Sequence, residues 1–258
     1  MIIWTIAKAT IGEAIRKKIL NVFLIVALGL IIISFSFSQF NFRQEMTIVK
    51  SFGLGMIALA ALFISLVMGI TLIPSEIENR TLYAILSKPV KRYEFVIGKY
   101  LGGILTLLFN VALMGLAFVI ALIVKGQGKF DPSIICGMVM IYFQFFLVTS
   151  VVIFLSTFIT PTVNFFASLS VYVVGSLSSV TESMANNEKA AAIVRYFYAG
   201  LHYLIPNFGN FNIQNPLIHP DVQIRNMNLY MAENALYAIF YALVLLIIGV
   251  LVFEKREV

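Results

Sequence analysis

The 258 residues are 60% apolar and only 12% charged, against roughly a quarter charged in a soluble domain, which excludes an ordinary water-facing globular surface. A formal charge of +6 would suggest nucleic acid in a soluble chain; with so few charges it reads as a topology signal, and no nucleic-acid partner is expected. Cys136 is the single cysteine, so no intrachain disulfide can form.

Residues 1–18 are too charged to span a bilayer. Ile3, Ala7, Ile11 and Ile15 recur every four residues, joined by Trp4 and Ala14, while Lys8, Glu13, Arg16 and Lys17 occupy the other side. This pattern predicts an amphipathic helix at the membrane interface, with Trp4 at headgroup depth. No cleavable signal peptide is expected. The first long apolar run continues past the length of an h-region, and no small-residue cleavage site follows it.

A bilayer core about 30 Å thick needs roughly 20 apolar residues in a helix. Six segments meet that length: 19–40, 52–73, 95–124, 133–159, 162–180 and 235–253. Helices are expected because isolated strands would leave backbone groups unpaired in lipid. The fold class is therefore an all-α integral membrane protein with six transmembrane helices and an N-terminal interfacial helix.

Between the second and third spans lies the segment 74–99. Pro74 stops the second span, and residues 76–86 read as a short helix with Ile77, Leu82, Ile85 and Leu86 apolar. Pro89 ends it, because proline disfavours a helical residue before it. A short amphipathic helix with charged flanks suits a cytosolic partner, although a plain basic loop has the same composition. Gly98 and Gly102, early in the third span, form a small-xxx-small pair that permits close helix packing.

Thr160, Pro161 and Thr162 make a tight turn between the fourth and fifth spans. Residues 181–234 form the largest connection. Its start is polar, and 190–204 is apolar and aromatic, with Arg195, Tyr196, Tyr198, His202 and Tyr203. A helix on or dipping into the outer leaflet is expected there, ending at Pro206, followed by an ordered Asn- and Pro-rich loop over 207–228.

The basic residues orient the chain. Lys8, Arg16, Lys17, Lys18, Arg80, Lys88, Lys91, Arg92, Lys99, Lys255 and Arg256 share one side and outnumber those on the other. That side is read as cytoplasmic, which puts both termini inside and 181–234 outside.

No phosphate-binding G-x-x-x-x-G-K-[ST] loop, zinc-protease helix or nucleophile elbow is present. His202 and His219 lie far apart, without a ligand cluster, and no metal site is expected. Ionisable residues are nearly absent from the six spans, which argues against an ion-coupled carrier with a buried acid or histidine. Asn110, Gln144 and Asn164 are the strongly polar residues within them. They are candidates for a substrate path, with interhelical hydrogen bonding as the structural alternative.

The 74–99 segment resembles permease subunits of ABC-2 type transporters, which carry a pattern like E-x-E-x-x-T-L-x-x-L-L-x-x-P-V-x-R-x-E-x-x-x-G-K-x-L. Glu76, Glu78, Thr81, Leu82, Ile85, Leu86, Pro89, Val90, Arg92, Glu94, Gly98, Lys99 and Leu101 match it. Asn79 and Arg80 depart from it, standing where a glycine often precedes the threonine. The amphipathic start, the six spans and the large segment before the last span extend the likeness over nearly the whole chain.

The resemblance implies a single ABC-2 type transmembrane domain over 1–258, acting as the permease of an exporter in a prokaryotic cytoplasmic membrane. It implies a separate ABC ATPase subunit that binds ATP and Mg, with no cofactor and no enzymatic activity in this chain. It further implies a second permease copy or paralogue, as a homo- or heterodimer. The 74–99 segment would be the coupling helix that docks on the ATPase. Glu76, Glu78 and Arg92 would make surface contacts, Leu82 and Leu86 would be apolar anchors, and Thr81 and Pro89 complete the motif. A non-transporting membrane scaffold for an ATPase and an ion-coupled secondary carrier are the rival readings.

Overall fold

The computed structural model describes residues 2–16, 45–74, 76, 91–125, 132–186, 191–213 and 226–255, together with positions 18, 22, 24–26, 28, 29, 32 and 33. The regular elements are helices: α1 (Ile2–Arg16), α2 (Glu45–Leu72), α3 (Arg92–Lys125), α4 (Ser133–Ser156), α5 (Pro161–Ser176), α6 (Ser178–Ala185), α7 (Ala192–Leu204) and α8 (Met227–Lys255), with a 3-10 turn at Gly209–Phe211. Most of the expected first span, 19–40, lies outside the described residues. Within them, Val49–Leu72, Arg92–Val124, Ser133–Ser156 and Met227–Lys255 are long and apolar enough to cross a membrane, and α5 with α6 makes a fifth if the pair is one broken span. This is the architecture of an all-α membrane protein.

Helix α4 is the centre of the bundle and packs against α2, α3, α5 and α8. It is apolar around its whole circumference, as a helix surrounded by other helices or lipid must be. Phe145, Leu147, Val148, Val152 and Ile153 on α4 meet Ile57, Ile64 and Met68 of α2 and Leu107 and Met114 of α3 in one continuous core. Gly69 lets α2 and α4 approach closely, since a Cβ there would overlap the Val152 side chain. The outer face of α8 turns Leu236, Phe240, Val244, Ile247 and Leu251 outward, at about half exposure or more. So long an apolar strip suits lipid and not water.

Three hydroxyls inside the bundle are satisfied by their own helices, which suits a low-dielectric setting. Ser65 Oγ donates to the Ala61 carbonyl at 2.8 Å, Thr106 Oγ1 to Gly102 at 2.8 Å, and Thr149 Oγ1 to Phe145 at 2.7 Å.

The N-terminal helix departs from a simple two-faced pattern. Its buried residues are Ala7, Thr10 and Ala14, and they face α3 across Gly98 and Gly102. A Cβ on Gly98 would stand 2.8 Å from Ile6 Cβ, and one on Gly102 would collide with Thr10 and the Ala7 carbonyl. The small-xxx-small pair on α3 is thus the seat of α1. Trp4 and Ile15, counted above on the same apolar face, point away from α3 at 53% and 51% exposure. The apolar stripe is therefore divided: Ala7, Thr10 and Ile6 meet α3, while Trp4 and Ile15 point outward.

The fifth segment is not the straight span expected over 162–180. Thr160 is extended and Pro161 opens α5 at a position where its missing N–H is harmless. The axis then turns by 66° between α5 and α6. Gly175 causes the turn by admitting another chain segment. The Phe208 N–H donates to the Gly175 carbonyl at 3.0 Å, and a Cβ at Gly175 would overlap the Pro206 carbonyl and the Phe208 ring. The Asn-rich stretch is in part interior as well: Phe208, Phe211 and Ile213 are fully buried. Helix α8 begins at Met227, eight positions ahead of the expected 235.

Candidate functional site: the base of the 74–99 segment

Charged side chains in this chain are few, so the place where they converge is informative. The second helix ends at Leu72, and Glu76 follows just beyond it. The next described residue is Lys91, after which α3 begins at Arg92. Two turns into α3, Lys99 Nζ reaches back to Glu76 Oε1 at 2.8 Å and across to Glu13 Oε2 of α1 at 3.3 Å. The Lys99 side chain is 5% exposed and that of Glu76 16%. Glu13, at 36%, forms the outer edge of this ion-pair cluster, and the Phe95 ring stands 5.8 Å from the ammonium. A charge so placed is held only because its partners are present; removing one costs roughly 3–5 kcal/mol.

The first turn of α3 also grips the end of α8. Arg92 Nη1 donates to the carbonyls of Phe253 at 3.2 Å and Glu254 at 3.0 Å. These carbonyls belong to the last turn of α8, where a cation satisfies orphan acceptors and the negative end of the helix dipole. The Phe95 and Phe253 rings stack at 6.2 Å directly beside this contact. Glu94 Oε2 accepts from the Lys91 N–H at 2.9 Å, which fixes the start of α3. Glu13, Glu76, Arg92 and Lys99 therefore join α1, the end of α2, the start of α3 and the end of α8 around the base of the segment.

Of the seven residues assigned to partner contacts, Glu76 and Arg92 are described, and both are engaged within the chain. Glu76 pairs with Lys99, and Arg92 bonds to the α8 carbonyls. Glu78, Thr81, Leu82, Leu86 and Pro89 lie outside the described residues. Two cluster members, Glu13 and Lys99, were not among the assigned residues. The signal for Lys99 was present, since it closes the same motif that Glu76 opens. Glu13 is the lone acid among residues 1–18.

The three polar residues of the spans do not meet. Asn110 Nδ2 donates to the Thr106 carbonyl of its own helix at 2.8 Å. Asn164 ties α5 to α4, donating to the Val152 carbonyl at 3.1 Å and accepting from Ser168 Oγ at 2.9 Å. Gln144 Nε2 donates across to the Phe208 carbonyl at 3.3 Å, helping to hold the inserted strand of chain. Gln144 alone among them lines a polar cavity of about 340 Å³, with Tyr172, Ser176, Ser178, Asn210 and Asn212. The cavity lies at the α5–α6 bend, where backbone leaves the helix. Irregular backbone at that depth is tolerated when it is buried in protein or lines an aqueous cavity. Its lining offers amides and hydroxyls without an acid, so it can hydrogen-bond a polar group but supplies no acid–base chemistry.

A search of curated proteins returns no match. A family model does match: that of the ABC-2 family transporter proteins, over residues 4–258. That range takes in most of α1, the charged base of the 74–99 segment and all of α8. The chain therefore belongs to the ABC-2 family transporter proteins, multi-pass membrane permeases of ABC transporters that generally work with an ATPase subunit.

Proposed function

We propose that this chain is the permease of an ATP-driven exporter, present in two copies or with a paralogue, with two separate ATPase subunits that bind ATP and Mg. Its ATPase docks on residues 77–90, with Leu82 and Leu86 as apolar anchors and Glu78 and Thr81 at the rim. Pro89 ends that docking element. The observation that carries this reading is the Glu76–Lys99 ion pair, which ties together the two flanks of the docking segment. A segment held at both ends transmits force; one hanging from a slack loop does not. Closure of the ATPases pulls the segment. Lys99 passes the displacement to α1 through Glu13, and Arg92 passes it to α8. The segment must bind the ATPase with different strength in the two states of the permease, or nothing is transmitted.

In this account Glu76 and Arg92 are transmission residues and not docking residues. Gln144 is the polar residue we assign to the substrate path, because it faces the polar cavity. The permease sits in a prokaryotic cytoplasmic membrane with both termini inside, as the distribution of basic residues supports.

The test uses the permease co-expressed with its ATPase. Leu82→Ser with Leu86→Ser should abolish co-purification, while Glu76→Gln should keep co-purification and lose most substrate-stimulated ATP hydrolysis. Undiminished docking by the double leucine variant contradicts the assigned docking segment. Normal stimulation in Glu76→Gln contradicts the transmission role.

A further inference from the structure

Gln144 stands near the middle of α4, about 17 Å from either end of that helix. At such a level in a hydrocarbon core about 30 Å thick, an amide is costly unless its hydrogen-bonding capacity is met. Its Nε2 is committed to the Phe208 carbonyl, but nothing among the described residues donates to its Oε1. Gln144 is 6% exposed, and it lines the polar cavity at the α5–α6 bend. Two more side chains of that lining, the Asn210 amide and the Ser179 hydroxyl, also make no hydrogen bond among the described residues. The wall around them is fixed. Ser178 Oγ donates to Asn207 Oδ1 at 2.6 Å, and the Asn210 N–H donates to the same oxygen at 3.3 Å. Gln144 is thus a buried floor, while Ser179, Asn210 and Asn212 form an exposed rim.

We propose that this cavity binds an uncharged sugar unit of one or two rings, with Gln144 at its floor; this rests on the assignment of Gln144 to the substrate path and names the class of substrate. Three features set that class. No lining side chain is an acid or a base, so a charged ligand would lose water with no counter-charge to meet it. Amides and hydroxyls both donate and accept, as the adjacent hydroxyls of a sugar do, whereas an apolar ligand would leave Gln144, Ser179 and Asn210 unmet. A volume of about 340 Å³ lies at the small end of ligand pockets, which suits one or two rings and not a long chain. A free sugar and a sugar carried as a lipid headgroup share this chemistry.

The test uses full-length protein carrying Cys136→Ala and Asn212→Cys in phosphatidylcholine nanodiscs, and reads the rate at which an impermeant thiol reagent labels the rim cysteine. Glucose, galactose and mannose are each compared with their uronate and 2-amino counterparts, which carry a negative and a positive charge at mildly acidic pH. A parallel arm places monogalactosyl diacylglycerol in the nanodisc. A ligand that blocks the site slows labelling about threefold at twice its dissociation constant. At least one neutral hexose, free or lipid-linked, should reach that slowing, and its charged counterparts should not. Protection by the free hexose identifies a soluble ligand; protection by the glycolipid alone identifies a headgroup. Adding Asn210→Ala, which removes a side chain bonded to nothing among the described residues, should raise the amount of sugar needed by about two- to tenfold, the value of one hydrogen bond. No slowing by any neutral sugar overturns the proposal and leaves a cavity that holds water only. Equal slowing by the charged counterparts overturns it too, as does an unchanged requirement with Asn210→Ala. ATPase-dependent movement of another compound, with no protection by sugars, sinks the proposal and leaves the permease reading standing. Protection by a hexose that the permease and its ATPase do not move keeps the binding site and removes Gln144 from the substrate path.

Discussion

Lys99 and Glu76, 23 positions apart in sequence, meet at 2.8 Å with the lysine side chain 5% exposed. They are the last and first charged residues of one sequence motif, so the motif encodes a closed structural unit as well as a surface. Lys99→Met should strand two carboxylates in a half-buried site and lower stability by about 3–5 kcal/mol. Thermal unfolding in a fixed detergent measures it. The charge swap Lys99→Glu with Glu76→Lys should recover part of the loss, because the two residues are coupled. A swap no more stable than the worse single variant would deny the pairing.

The α1–α3 contact makes a separate claim. Gly102→Leu would drive a side chain into Thr10 and the Ala7 carbonyl, an overpacking that costs about 1–3 kcal/mol. Helix α1 should then lift off. A cysteine at Ala7, buried in the native chain, should react slowly with a thiol reagent in a Cys136→Ala background and much faster once Gly102→Leu is added. Equal rates would mean that α1 is held by something other than this seat.

The inserted 206–213 stretch and the end of α7 before it are fastened by three tyrosines of α8. The Asn207 N–H donates to Tyr237 Oη at 3.0 Å, Tyr230 Oη donates to the Asn210 carbonyl at 2.6 Å, and Tyr241 Oη donates to Leu204 at 2.8 Å. Tyr237→Phe leaves the Asn207 N–H without that acceptor, at a cost of roughly 1–3 kcal/mol. Hydrogen exchange over 206–213 should quicken by about tenfold or more, with the core of α4 unchanged.

The topology is open to a labelling test. Single cysteines at Ser87 and at Asn212, an exposed position, on a Cys136→Ala background should differ towards an impermeant thiol reagent in intact cells. Reaction at Asn212 and not at Ser87 is expected from the basic-residue asymmetry. The reverse pattern would invert the orientation.

Periodicity and apolar length revealed much of the fold. The helices α2, α3, α4 and α8 contain most of the spans expected from runs of apolar residues, because a bilayer imposes one length scale on every crossing. The turn at Pro161 and the helix before Pro206 were equally plain, since proline acts locally. The bend after Ser176 was not legible. It depends on Gly175 meeting Phe208, and nothing within either segment specifies that meeting. The same limit applied to the candidate site. The composition of 74–99 marks it as charged and amphipathic, but not which charges turn inward. Glu76 reads as a surface acid until Lys99 and Glu13 are brought beside it by the packing of α1 on two glycines.

The most direct measurement of the central claim is substrate movement in sealed liposomes containing this permease, with and without its ATPase. Transport should require the ATPase and hydrolysable ATP together, and Lys99→Met or Glu76→Gln permeases that still bind the ATPase should give little. Movement driven by an ion gradient across liposomes that hold this chain alone would contradict the account.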